Sequence, residues 1–128
     1  IAPDYYRSYV LLYRLLGDEG KKEESQKILQ SAEDHLKQLV ERYPEITYYH
    51  QFLGLVYQVG GKIDEAVKSL EKAIEMRPSD KTTFQLLGQI LASSKRYEEM
   101  VDLLKRWVKY NPNDQEAKRM LEQYENSP

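Results

Sequence analysis

Few of the 128 residues stand in patterns that chemistry could use. His35 and His50 are the only histidines. A zinc site needs three or four converging N, S or O ligands, and two separated imidazoles do not supply them. His35 reads as a surface or rim residue, and His50 as a core residue at an aromatic position. Cysteine is absent, which excludes a disulfide, a cysteine zinc site and a thiolate nucleophile. The acidic pairs Glu23-Glu24, Asp64-Glu65 and Glu98-Glu99 could in principle divide general-acid and general-base work between them. They recur, however, at one place in a repeating pattern, where acids favour the positive end of a helix dipole. There is no GxSxG elbow, no HExxH pair and no glycine-rich phosphate loop following a strand. The reading is therefore a non-enzyme with no catalytic residues, no metal ligands and no cofactor.

Composition narrows the partners. The formal net charge is -2 and the pI about 5.8, against the basic surface of a sequence-blind nucleic-acid binder. Lys and Arg alternate with acids, as in Lys68, Glu71, Lys72 and Glu75, which reads as a solvated helix face. No nucleic-acid partner is expected. Apolar residues make up 41% and charged residues 31%, the balance of a soluble globular chain. No apolar run approaches the roughly 18 residues of a membrane span, so no direct membrane insertion is expected. Eleven tyrosines against two Phe and one Trp suit half-buried positions and grooves, because Tyr joins apolar area to a polar tip. The first residue is Ile1, not Met. The expectation is a fragment or a processed form, with a segment of a larger enzyme or membrane protein as an alternative reading. The compartment stays open, with the cytoplasm preferred.

The elements that must position any site show themselves through proline. Pro44, Pro78 and Pro112 are spaced 34 residues apart, each just after a helical stretch. Leu53-Gly54 and Leu87-Gly88 repeat at the same interval, as do Asp64-Glu65-Ala66-Val67 and Glu98-Glu99-Met100-Val101. His50, Leu53, Gly54 and Tyr57 fall on one face of a 3.6-period helix, and Ala66, Val67, Leu70, Ala73 and Ile74 on one face of the next. Each unit reads as helix, tight turn, helix, proline turn. Asp80 and Asp114 stand where a side-chain oxygen caps the following helix. Small Gly54 and Ala66 let paired helices approach closely.

These residues resemble the tetratricopeptide repeat, a 34-residue helix–turn–helix. Residues 47–80 supply His50, Leu53, Gly54, Tyr57, Ala66, Leu70, Ala73 and Pro78 at its characteristic places. Residues 81–114 supply Phe84, Leu87, Gly88, Leu91, Met100, Leu104, Trp107 and Pro112, departing at Met100 and Trp107, where small residues are usual. Bulk there should push the helices apart or fill a terminal gap. Aligning Gly20-Lys21-Lys22 with Gly61-Lys62-Ile63 gives an irregular first repeat, 1–46. Its second helix, about Lys22 to Tyr43, is two turns longer, continuing its apolar face through Leu36, Leu39, Val40 and Tyr43. Residues 115–126 read as a capping helix with an apolar stripe of Ala117, Met120, Leu121 and Tyr124. The implied fold is all-α, a right-handed superhelical stack of antiparallel helix pairs with about seven helices in a single domain, 1–128.

The resemblance also implies a function. In the family the first helix of each repeat lines a concave surface that contacts a protein or peptide partner. Carried over by position, the candidates are Arg7, Val10 and Arg14, then Tyr48, Gln51, Leu55 and Gln58, then Thr82, Gln85 and Gln89. Gln amides can bond a peptide backbone as donor and acceptor, and Arg7 and Arg14 could hold a carboxylate in a forked geometry. An ordinary solvated helix face accounts for the same Gln residues. Some members clamp the C-terminal carboxylate of chaperone tails with Lys, Asn and Arg. Here Val10, Arg14, Gln51, Leu55, Gln85 and Leu86 fill those places, so that clamp is not reproduced. Self-assembly into a homo-oligomer through Tyr5, Tyr6 and Tyr9 is the further alternative.

Overall fold

The computed structural model describes residues 4–126, with side chains from residue 8 to residue 126. The described residues form seven helices and no strand: α1 (Asp4–Asp18), α2 (Lys22–Arg42), α3 (Thr47–Val59), α4 (Ile63–Met76), α5 (Lys81–Ser93), α6 (Tyr97–Tyr110) and α7 (Gln115–Glu125). The chain divides into two compact units, Ile1–Ser69 and Leu70–Pro128. In the first, α1 packs on α2, α2 on α3, and α1 also touches α3. In the second, α6 packs on both α5 and α7.

Two kinds of turn set the repeat. The first follows α1, α3 and α5. Gly20, Gly61 and Lys95 have φ of 80°, 78° and 60°, and the next residue's N–H reaches back to Leu16, Tyr57 and Leu91 at 2.8, 2.8 and 2.9 Å. This left-handed residue with a six-to-one bond is the Schellman ending of a helix. Glycine adopts it without strain, whereas Lys95 carries a Cβ into the same region. The second turn holds the prolines. Tyr43, Arg77 and Asn111 donate to Leu39, Ala73 and Trp107, and Ile46, Asp80 and Asp114 donate back to Tyr43, Arg77 and Asn111. His50, buried in α3, ties this turn down through its Nε2, which lies 2.8 Å from the Pro44 carbonyl. A carbonyl only accepts, so Nε2 carries the proton.

The long second helix is present. α2 has 21 residues, against 14 in α4 and 14 in α6. Its buried residues are Ser25, Leu29, Ala32, Glu33 and Leu36, while the added turns bring the Tyr43 ring to 6.4 Å from Tyr49 of α3.

Helix starts differ from expectation at one place. Asp114 caps α7, accepting the Ala117 N–H at 3.0 Å. Asp80 makes no such bond to α5 and instead accepts the hydroxyl of fully buried Thr83 at 2.7 Å. A carboxylate oxygen aimed at a buried hydroxyl satisfies that donor and leaves the backbone uncapped.

Candidate functional site

The first-helix positions separate by exposure. In the first unit Val10 and Gln51 are 8% and 6% exposed, so neither lines an open face. They hold the same repeat position, and burial there accords with α1 packing directly against α3. Leu55 and Gln58 are half-buried and Arg14 is exposed. Tyr48 is exposed, its ring stacked on Phe52 with centroids 6.3 Å apart. The side chain of Arg7, and those of Tyr5 and Tyr6, lie outside the described residues.

The second unit brings its candidates together. Thr82, Gln85 and Gln89 are all exposed on α5. Gln85 and Gln89, one helical turn apart, stand on the wall of a cleft of about 450 Å³. Phe84, Gly88 and Ala92 continue that wall, Met100 of α6 forms the floor, and Ala117, Met120 and Tyr124 of α7 form the far side. Lys81, Asp114 and Glu116 also line it, one cation and two acids. Thr82 is not among the lining residues. The size falls within the range of roughly 300–1,000 Å³ typical of ligand clefts, and the apolar lining with a few polar groups is of the same kind.

Of the two departures from the family pattern, Met100 lines this cleft and Trp107 supports two of its lining residues, Phe84 and Asp114. Trp107, 4% exposed, stacks on Phe84 with centroids 4.2 Å apart and planes 11° from parallel. Its Nε1–H donates to Asp114 Oδ2 at 2.8 Å. The same carboxylate takes the Ala117 N–H on Oδ1, so one side chain joins α6, the last turn and α7. The Trp107 bond, followed by the Ala117 bond, holds the Asp114 carboxyl below its ordinary value. Met100 is buried with its methyl against Gly88, where an added Cβ would meet Cε at 3.6 Å. Bulk at these two places fills the end of the second unit. Sequence reading places Met120 and Tyr124 on a cap stripe and not on a cleft wall. The signal lies in that stripe itself, whose Met120 and Tyr124 stay half-buried.

A second cavity, of about 190 Å³, lies between α4 and α6, lined by Ile74, Pro78, Leu103, Trp107 and Tyr110. Arg106 edges it and forms a two-bond pair with Glu71, each bond 2.8 Å. None of the first-helix candidates reaches it.

One charged cluster in the first unit has no counterpart in the sequence reading. Glu33, 5% exposed, stands in the apolar row of α2 between Ala32 and Leu36. Lys62 and Lys37 approach its two oxygens at 2.7 and 3.1 Å, and Gln30 adds a bond at 3.2 Å. Burial raises the carboxyl, but the bonds from Lys62, Lys37 and Gln30 outweigh it and leave it below its ordinary value. Both ammonium groups also sit 5.9 Å from the Tyr57 ring centroid. Every acceptor is partnered, which is the condition under which a buried carboxylate is tolerated. Among the described residues no group of His, Asp or Glu is arranged to hold a metal ion, and no helix is long and apolar enough to cross a membrane.

Helix pairs on a 34-residue period, with Schellman turns inside each pair and proline turns between pairs, define a helical-repeat protein. The chain belongs to the tetratricopeptide repeat family: one profile of that repeat matches residues 60–124 and a second matches residues 23–81. Proteins of this family are typically non-catalytic scaffolds. No curated protein matches the sequence. Among solved structures, the chain is similar to a thermophilic TPR protein of Thermus thermophilus, at 24% identity and a TM-score of 0.69, covering 93% of this chain. It spans 59% of that protein's length. It is also similar to the Yersinia enterocolitica type III secretion translocator chaperone SycD, at 19% identity and a TM-score of 0.54, covering 98% of this chain and 86% of the chaperone. The Thermobaculum terrenum O-GlcNAc transferase matches over only 22% of its length, at 17% identity and a TM-score of 0.53, covering 93% of this chain. At these identities the likeness is one of fold.

Proposed function

We propose that the chain is a protein–protein interaction module whose second unit holds a partner polypeptide in the cleft between α5 and α7. The observation that carries this reading is the cleft itself. It pairs an apolar lining of Phe84, Met100 and Met120 with two exposed amides, Gln85 and Gln89, one helical turn apart. An extended segment presenting one apolar anchor suits it: the anchor sits between Met100 and Met120, and the amides take up the flanking peptide groups. In the first unit, exposed Arg14 and Tyr48 are proposed as additional contacts. We read 1–46, 47–80 and 81–114 as repeats of one domain and 115–126 as its cap.

The similarity to a translocator chaperone agrees with a polypeptide ligand. The match within an O-GlcNAc transferase supports the alternative that the module serves as an accessory segment of a larger enzyme. We assign the cytoplasm as its setting, a proposal that fractionation of cells carrying the tagged full-length protein would test.

The experiment is selection from a displayed peptide library against the chain, followed by calorimetric titration of the selected peptides. Binding should weaken at least tenfold with Met120→Lys, which closes the cleft with a charge, and several-fold with Gln85→Ala/Gln89→Ala. Selected peptides whose affinity is indifferent to both variants would overturn the cleft as the binding site.

A further inference from the structure

The cleft between α5 and α7 has a direction. Phe84 of α5 stacks on Trp107 of α6, and Gly88, one turn on, faces Met100, so α5 and α6 run antiparallel. Trp107 reaches Asp114 at the start of α7, while Tyr97, at the start of α6, lies near Tyr124 at the end of α7, with ring centroids 6.0 Å apart. α7 therefore runs alongside α5 in the same sense. The three charged lining residues, Lys81, Asp114 and Glu116, gather where these two helices begin. Ala92 and Tyr124 close the other end without a charge.

The charges at that end do not cancel. Asp114 is committed: its two oxygens accept the Trp107 indole N–H and the Ala117 N–H, and Lys81 is near enough to favour its ionised form. Lys81 and Asp114 thus offset one another. Glu116 is exposed and enters no ion pair among the described residues. It is the unbalanced charge on the cleft, and it is negative.

We propose that the cleft selects a polypeptide with a lysine or arginine two residues from its apolar anchor, and that Glu116 sets this preference. The inference rests on the cleft being the binding site. Complementary charge at the edge of a contact steers the right partner in and turns the wrong one away. A basic residue meets Glu116, whereas an acidic one at the same place is repelled. The spacing follows from the helix. Glu116 stands one turn before Met120, about 6 Å along α7, and the anchor sits beside Met120. An extended peptide advances about 3.3 Å per residue, so two residues cover that distance. Residues i and i+2 of such a peptide also point to the same side.

Two parallel selections from a displayed short-peptide library test this on the full chain, one with the wild type and one with Glu116→Lys. The Glu116 side chain is exposed, so the variant should keep the circular dichroism of the wild type. Selected peptides are first sorted by whether Met120→Lys weakens them, which reports on the cleft alone. Among those it weakens, the wild-type pool should carry Lys or Arg two residues from the anchor, and the Glu116→Lys pool Asp or Glu at that place. Exchanging the basic residue for Gln should weaken titrated binding to the wild type about threefold to fivefold, the scale of one exposed ion pair, and should leave binding to Glu116→Gln unchanged. High salt should shrink the difference. Cleft-bound peptides with no charge preference, or a basic preference that survives Glu116→Lys, would overturn this inference and leave the cleft standing. Peptides all indifferent to Met120→Lys, or a library yielding no binder, would overturn the cleft reading and this inference with it.

Discussion

Removing the Asp114 carboxylate should loosen the wall of the cleft more than any other single surface change. Asp114 does two things at once: it caps α7 through the Ala117 N–H at 3.0 Å and receives the Trp107 indole N–H at 2.8 Å. Loss of a helix N-cap costs about 0.5–2 kcal/mol. The indole belongs to a side chain only 4% exposed, and an orphaned buried donor costs about 1–3 kcal/mol unless water reaches it. Asp114→Ala should therefore destabilise the second unit by roughly 2–4 kcal/mol. For a chain of this size that lowers the melting temperature by on the order of 10 °C. Trp107 is the single tryptophan, so its fluorescence reports on this unit directly. Asp114→Asn keeps an oxygen for Ala117 but offers the indole no acceptor, and should fall between the two. The carboxyl is held below its ordinary value of 3.8. Its contribution is complete above that pH and is lost as pH falls through the lower folded value; Asp114→Asn should abolish that acid limb. A melting temperature of Asp114→Ala within about 1 °C of wild type would refute the double role.

Further expectations concern the turns, the seams and the charge cluster. Lys95→Gly relieves a left-handed backbone position (φ 60°) and should stabilise by about 0.5–1 kcal/mol in urea denaturation, while Gly61→Ala, at φ 78°, should destabilise by a similar amount or more. Gly88→Ala places its Cβ at ordinary contact distance from Met100 and should be neutral or stabilising by up to about 1 kcal/mol in chemical denaturation. Gly54→Leu, on the buried face of α3, should cost about 1–3 kcal/mol by the same assay. Glu33 occupies the place that Ile74 holds in the next repeat, so Glu33→Leu should stay within about 1 kcal/mol of wild type. In wild type the Glu33 contribution is present above its ordinary value of 4.5 and lost as pH falls through the lower folded value. Glu33→Leu should remove that part of the acid dependence of stability, read from urea midpoints across pH.

The backbone plan was legible because its signals are local. Proline spacing, the Gly-Lys turns and one-face apolar rows place all seven helices, and a seven-residue lengthening of α2 follows from the late Pro44. Asp114 was readable as a cap for the same reason. What escaped depended on the neighbouring helix. Gln51 looks like a groove residue from its helix alone, yet it is buried where α1 packs against α3. Asp80 sits where Asp114 does, but a buried Thr83 hydroxyl three residues on takes its oxygen. Nothing within α2 singles out Glu33, because its partner Lys62 lies in a turn of the following hairpin. Of the groove candidates, Gln85 and Gln89 gain a cleft only through Met120 and Tyr124 of the cap. That pairing depends on how α7 is held, which no periodicity within α5 can reveal.

Amide chemical-shift mapping tests the central reading most directly. A peptide selected against the chain should, on titration into ¹⁵N-labelled protein, shift the amides of Gln85, Gly88, Gln89, Met120 and Tyr124 and the indole N–H of Trp107. Shifts confined to residues outside α5 and α7 would contradict it and move partner recognition to another face of the repeat.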